Sequence, residues 1–177
     1  VVQDDFQGGV LAARHLLQRG YKRIAWLGHG IGSYHSMARF GGAMSEVLRE
    51  GAAMPDDLRP PCGADDAREV ARSLLSRPDR PRAVLALWTR VAVGVLEAAR
   101  ELGLTPGRDF EMVGWAHEEE YEREYVPAFG ENPVQPAIVW SPRQMGELAV
   151  ARLAFRRRHR GSEIVKLCVP VRLAAGG

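Results

Sequence analysis

A chain of 177 residues, 46% hydrophobic and 26% charged, is long enough to bury a core without disulfide or metal staples. Its net charge of +2 excludes a nucleic-acid contact carried by bulk charge, and no apolar run approaches the ~20 residues of a membrane span. The two cysteines, Cys62 and Cys168, give neither a disulfide framework nor metal-ligand spacing, so the expected setting is a reducing cytosol, with no metal or cofactor.

The chain opens on Val1-Val2 directly before a helix signal and reads as the middle of a longer protein. Asp4 or Asp5 caps a helix over about 8–19, striped by Val10, Leu11, Ala13, Leu16 and Leu17 and closed by Gly20. A strand follows over 24–27, then the glycine-rich loop 28–33, then a helix over 36–50 whose inner face is Phe40, Met44, Val47 and Leu48. After a loop from Pro55, with only a short strand near Cys62, Asp65 or Asp66 starts a helix ending before Pro78.

The stretch 81–114 organises the rest. Residues 82–87 (RAVLAL) have the length of a buried strand. Val91, Val95, Leu96, Ala99 and Leu102 share one helix face, and Gly103 with Pro106 ends that helix. A second strand over 110–113 stops at Gly114. Strand, helix and strand make a right-handed crossover in a parallel sheet, and ligands of such sheets collect at the carboxyl ends of the strands. Residues 117–136 read as an acidic, aromatic loop with a short helical turn, and 137–140 as a last strand. Ser141 and Pro142 start a helix with Met145, Leu148, Ala149, Leu153 and Phe155 on its buried side, which ends in the basic run 156–160. Residues 164–171 are extended. The alternation predicts a three-layer α/β/α lobe with a parallel sheet.

Loop 28–33 stands between a strand and a helix, where glycine-rich loops cradle phosphate, but it lacks the full dinucleotide fingerprint and a P-loop lysine. No serine lies in a nucleophile elbow, His29 and His35 have no partners at metal spacing, and Glu118-Glu119-Glu120 reads as a solvated charge run; no enzyme emerges. Trp88, Trp115 and Trp140 each close a predicted strand, and three indoles at the ligand-bearing edge point to an aromatic-lined site. Arg39 is placed to swing a guanidinium into the same crevice.

The motifs Asp4-Asp5-x-x-Gly8-Gly9, His15-Leu16-Leu17-x-x-Gly20-Tyr21-Lys22-Arg23-Ile24-Ala25 and Arg39-Phe40-x-Gly42 resemble the lactose-repressor/galactose-repressor (LacI/GalR) family of bacterial transcription regulators. So do Pro81-x-Ala83-Val84, Ala92-x-Gly94, Gly103-Leu104-x-Pro106-x-x-Asp109 and Val113-Gly114-Trp115. The resemblance implies a periplasmic-binding-protein-like fold of two lobes around a small-molecule effector cleft, with operator DNA bound only through a helix-turn-helix module outside this chain. Residues 4–140 would be the C-terminal lobe, 141–168 a helix and strand of the other lobe, and 169–177 a terminal strand and tail. It places Arg39 where the family holds effector hydroxyls or carboxylates. Trp88-Thr89 stands where the family usually has Asn-Asp, and Ala116 where an aspartate follows Gly-Trp. Ligand contacts are therefore expected from Arg39, Trp88, Thr89, Trp115, His117 and Trp140, toward a weakly polar, anionic or aromatic-bearing effector rather than a neutral hexose. A homodimer is implied as well, with Val91, Val95, Tyr121 and Tyr125 at its contact. The alternatives are a nucleotide-using enzyme subunit working through loop 28–33, and a periplasmic solute-binding protein of the same fold.

Overall fold

The computed structural model describes residues 1–28 and 33–174. Five strands form the main sheet in the order β2 (Ala25–Leu27), β3 (Ala83–Ala86), β4 (Glu111–His117), β5 (Ala137–Trp140) and β7 (Arg172–Ala174). The first four are mutually parallel, with Ala25 opposite Val84, Val84 opposite Met112 and Trp115 opposite Ile138. Only β7 runs antiparallel, at the edge beside β5. A separate two-stranded parallel pair joins β1 (Val2–Gln3) to β6 (Cys168–Val169), bringing the two ends of the described chain together.

Successive side chains of a strand point to opposite faces, and the core divides accordingly. Trp26, Leu85, Val113, Trp115 and Ile138 pack under α1 (Asp5–Gln18) and α2 (Tyr34–Arg49). Leu27, Val84, Ala86, Met112, Ala116 and Val139 pack under α3 (Ala67–Leu75) and α4 (Thr89–Glu101). The three layers and the parallel order match the sequence reading. The caps match too: Asp4 accepts a bond from the Gln7 amide, and Ser33 from that of Ser36.

Four local expectations are corrected. The strand expected to stop at Gly114 runs on to His117, because β5 supplies pairing partners for Gly114 through His117. Leu48 lies outside the buried face of α2, 71% exposed; Arg39, Ala43, Glu46 and Val47 are inside. Near Cys62 there is a single bridge from Gly28 to Pro61 rather than a strand.

The fourth correction is the largest. The presumed loop after His117 is helical from α5 (Glu118–Glu120) through a π-helical turn (Tyr121–Tyr125) to α6 (Val126–Ala128). Tyr121 stacks on Tyr125, whose ring meets Phe129 edge-on. These aromatics close the α4 face of the core, so Tyr121 and Tyr125 are not contact residues of a partner. Val91 and Val95, the other expected dimer contacts, have no exposed surface; they are the side of α4 that packs on the sheet. The helix α7 (Pro142–Arg158) is capped by Ser141 as expected, yet none of its residues is buried in this chain.

Candidate functional site

Because β2 to β5 are parallel, their carboxyl ends gather along one edge. Leu87 and Trp88 follow β3, while His117 and Trp140 are paired at the ends of β4 and β5. The amino ends of α1 and α2 come to the same edge, and with them Asp5 at the first position of α1 and Arg39 in the second turn of α2.

Arg39 is the centre of this site. Its side chain is wholly buried, Nε donates to Asp5 Oδ1 at 2.7 Å, and Nη1 donates to the Leu87 carbonyl at 2.9 Å. Nη2 has no partner among the described residues. Three indole rings surround the guanidinium: its Cζ lies 4.2 Å from the Trp88 ring centre, 5.6 Å from Trp140 and 5.8 Å from Trp115. Burial pushes the Arg39 pKa down, and the facing Asp5 carboxylate opposes that shift. An arginine in so apolar a box is tolerable because an opposite charge and three π faces replace water.

Asp5 serves more than Arg39. Its second oxygen lies 2.6 Å from His35 Nδ1, and Gln3 Nε2 donates to its first at 3.2 Å. The carboxylate therefore ties β1, α1 and α2 to one point.

The structure brings the expected site residues together, though in different capacities. Trp88 and Trp140 are half-buried at the sheet edge. Trp115 is almost fully buried inside β4, meets Trp26 edge-on at 6.2 Å, and leaves its indole N–H without an acceptor. Thr89 is buried, its hydroxyl donating to the Trp115 carbonyl at 3.2 Å. That hydroxyl positions β4 rather than facing the crevice. His117 packs edge-on against Trp140 at 6.1 Å and accepts a bond from the Glu120 amide.

Of loop 28–33, residues 29–32, including His29, lie outside the described residues. Among the described residues no group of three or more His, Cys, Asp or Glu side chains is placed to hold a metal. Asp5 is the functional residue that the sequence reading credited only as a possible helix cap. Its pairing with Arg39 spans 34 positions, and no local pattern announces it.

Residues 13–177 match the model of a family described as the periplasmic binding protein-like domain. The chain belongs to that family. Within it, its relatives are LacI/GalR regulators, as the sequence motifs imply. It is 29% identical over 168 residues to the HTH-type transcriptional repressor PurR of Mannheimia succiniciproducens, a match covering 89% of this chain and 45% of that protein. It is 28% identical over 121 residues to the PurR repressor of Escherichia coli, covering 65% and 34%. The chain thus spans less than half the length of these curated relatives.

Among solved structures, the transcriptional regulator CelR in complex with cellobiose superposes with a TM-score of 0.80 at 21% identity, covering 98% of this chain and 52% of that one. A LacI regulator from Bacillus cereus subsp. cytotoxis gives 0.83 at 18% identity, covering 98% and 60%. These likenesses establish a LacI-type effector-domain fold.

Proposed function

We propose that this chain is the effector-sensing part of a LacI/GalR-type transcription regulator, and that a small molecule binds at the sheet edge where Arg39, Trp88 and Trp140 meet. One observation carries the reading. A buried guanidinium with one unused N–H group sits among indole rings, two of them half-buried, at the strand ends where parallel sheets take ligands. Relatives named as repressors favour regulation over the nucleotide-using enzyme, and over the solute-binding protein of the same fold.

The rest of the assembly follows from the same reading. Helix α7 exposes Leu148, Val150, Leu153 and Phe155, an apolar surface that suits cover by a second lobe reached through β1 and β6. The regulator would act in the cytoplasm as a homodimer and reach operator DNA through a module outside this chain. Since Val91 and Val95 point inward, its dimer contact would use the outer side of α4, where Arg90, Glu97 and Arg100 are exposed.

The test is tryptophan fluorescence of the two-lobed protein, titrated with sugars, sugar acids and nucleobases, and repeated on Arg39→Lys and Trp88→Ala. A saturable change that weakens at least tenfold in both variants is the expected result. Effector binding that neither substitution alters would place the site elsewhere.

A further inference from the structure

Arg39 is not an unengaged cation waiting for an anion. Its positive charge is met by the Asp5 carboxylate at 2.7 Å, so the pair is electrically balanced before any ligand arrives. Two of its three nitrogens are spent, on Asp5 and on the Leu87 carbonyl, and only Nη2 is left without an acceptor. The Trp88 ring lies over the guanidinium at 4.2 Å, and the arginine has no exposed surface. Nothing reaches Nη2 unless a covering side chain moves. Trp88, half-buried and next to the exposed Arg90, is the cover with room to move.

We infer that this cleft selects an uncharged ligand, one with a flat apolar face that takes the place of Trp88 against Arg39 and a single acceptor atom for Nη2. The inference rests on the proposed effector site and adds to it the ligand's charge and the part played by Trp88. A carboxylate ligand would bring a second negative charge beside Asp5. It would compete for a guanidinium already paired, in surroundings of indole rings that give an anion little solvation. A neutral molecule incurs neither cost. That Trp88 rests on the guanidinium shows that the place accepts a planar apolar group. The buried Trp115 N–H is not counted as a ligand donor, because it turns toward Gly8. The C–H face of a neutral pyranose and the ring of an uncharged nucleobase share the required chemistry. The expectation drawn from sequence, which admitted an anionic effector, is narrowed accordingly.

Matched pairs test it: galactose against galacturonate, glucose against glucuronate, and uracil against orotate. Each is titrated into the two-lobed protein at pH 8, above the ordinary histidine range, with calorimetry as readout. The expected result is that any pair that binds shows the neutral member at least tenfold tighter. In Asp5→Asn that preference should shrink at least tenfold, or reverse, while in Trp88→Ala the neutral ligand should associate faster. Pyranose and pyrimidine pairs distinguish the two sources of a flat face. A carboxylate member that binds as well as or better than its neutral partner in the unaltered protein overturns the inference and leaves the effector site standing. Binding that is indifferent to both Arg39→Lys and Trp88→Ala, or no binding by any pair, overturns the site reading and this inference with it. If Asp5→Asn fails to give a cooperative melt, the comparison in the unaltered protein still decides.

Discussion

The ring of Tyr125 occupies the space that a side chain on Gly114 would fill: a Cβ there would lie 2.3 Å from the tyrosine Cε2. The same tyrosine donates its hydroxyl to the Pro136 carbonyl at 2.9 Å, so the π-helical turn is pinned to the start of β5 through a gap in β4. Gly114→Ala should therefore destabilise the protein by ~1–3 kcal/mol through overpacking, and more if Tyr125 is expelled. Tyr125→Phe should cost only ~0.5–1.5 kcal/mol. The Pro136 carbonyl still accepts a bond from the Gly114 amide at 3.0 Å, so no buried acceptor is orphaned. Urea melts of the two variants give the comparison, and equal losses would contradict this packing account.

Gly9 and Gly42 let α1 and α2 cross at backbone contact. A Cβ on Gly9 would stand 2.0 Å from the Arg39 carbonyl, and one on Gly42 2.0 Å from that of Phe6. Neither obstacle is a flexible side-chain end, so the helices must part. Gly42→Ala is expected to lower stability by at least ~3 kcal/mol, beyond ordinary overpacking, and to draw Arg39 away from Asp5. A thermal melt measures the first effect. A changed tryptophan emission below the transition reports the second, because three indoles line the guanidinium.

Acid should weaken the α1–α2 pair at Glu46. Hydrogen bonds from Arg14 and Arg49 hold its carboxyl at about 2, well below the ordinary glutamate value. A folded-state pKa below the unfolded one gives stability that is full above the unfolded value and is lost as pH falls. The window thus opens near pH 4.5 and closes near pH 2. Urea midpoints of the wild type should fall faster than those of Glu46→Gln across that range, and the two curves should run parallel above pH 6.

The two thiols should separate cleanly. Cys62 is buried, and burial with the nearby Asp66 pushes its pKa up to about 11, whereas Cys168 is exposed. A thiolate is the reactive species, so a thiol reagent at pH 8 should titrate one cysteine per native chain promptly and the second only in denaturant. Mass mapping should place the fast label on Cys168. Prompt labelling of Cys62 would mean that the contact between Gly28 and Pro61 opens readily.

The strand-helix-strand unit over 82–114 was readable because each joint carries its own signal: an apolar run, a helical stripe, Gly103 and Pro106. The three tryptophans and Arg39 were readable as a group because parallel strands bring their carboxyl ends to one edge. Asp5 was not, since a buried ion pair between the starts of two helices exists only after those helices have packed. The segment after His117 misled for a different reason. Its acidic residues and Pro127 look like a loop, while Tyr121, Tyr125 and Phe129 stand four residues apart, the spacing of one helix face. Reading that spacing first would have turned these aromatics inward. Glu46 and Glu111 were passed over as surface charges. Glu111 is buried in β4 and held by His15 at 2.9 Å and Arg19 at 2.5 Å, partners set by the packing of α1 on the sheet.

The pair of short strands β1 and β6 is more than a seam between the chain's two ends. Gln3, the last residue of β1, bonds to the Asp5 carboxylate, and only Asp4 separates them in the backbone. Asp4 is itself fixed, its amide donating to the Val169 carbonyl at the end of β6. The crossing strands and the buried guanidinium thus form a lever whose arm is a single residue long. A twist of the strand pair turns Asp5, and a displaced Arg39 pulls on the strands, with almost no slack between them.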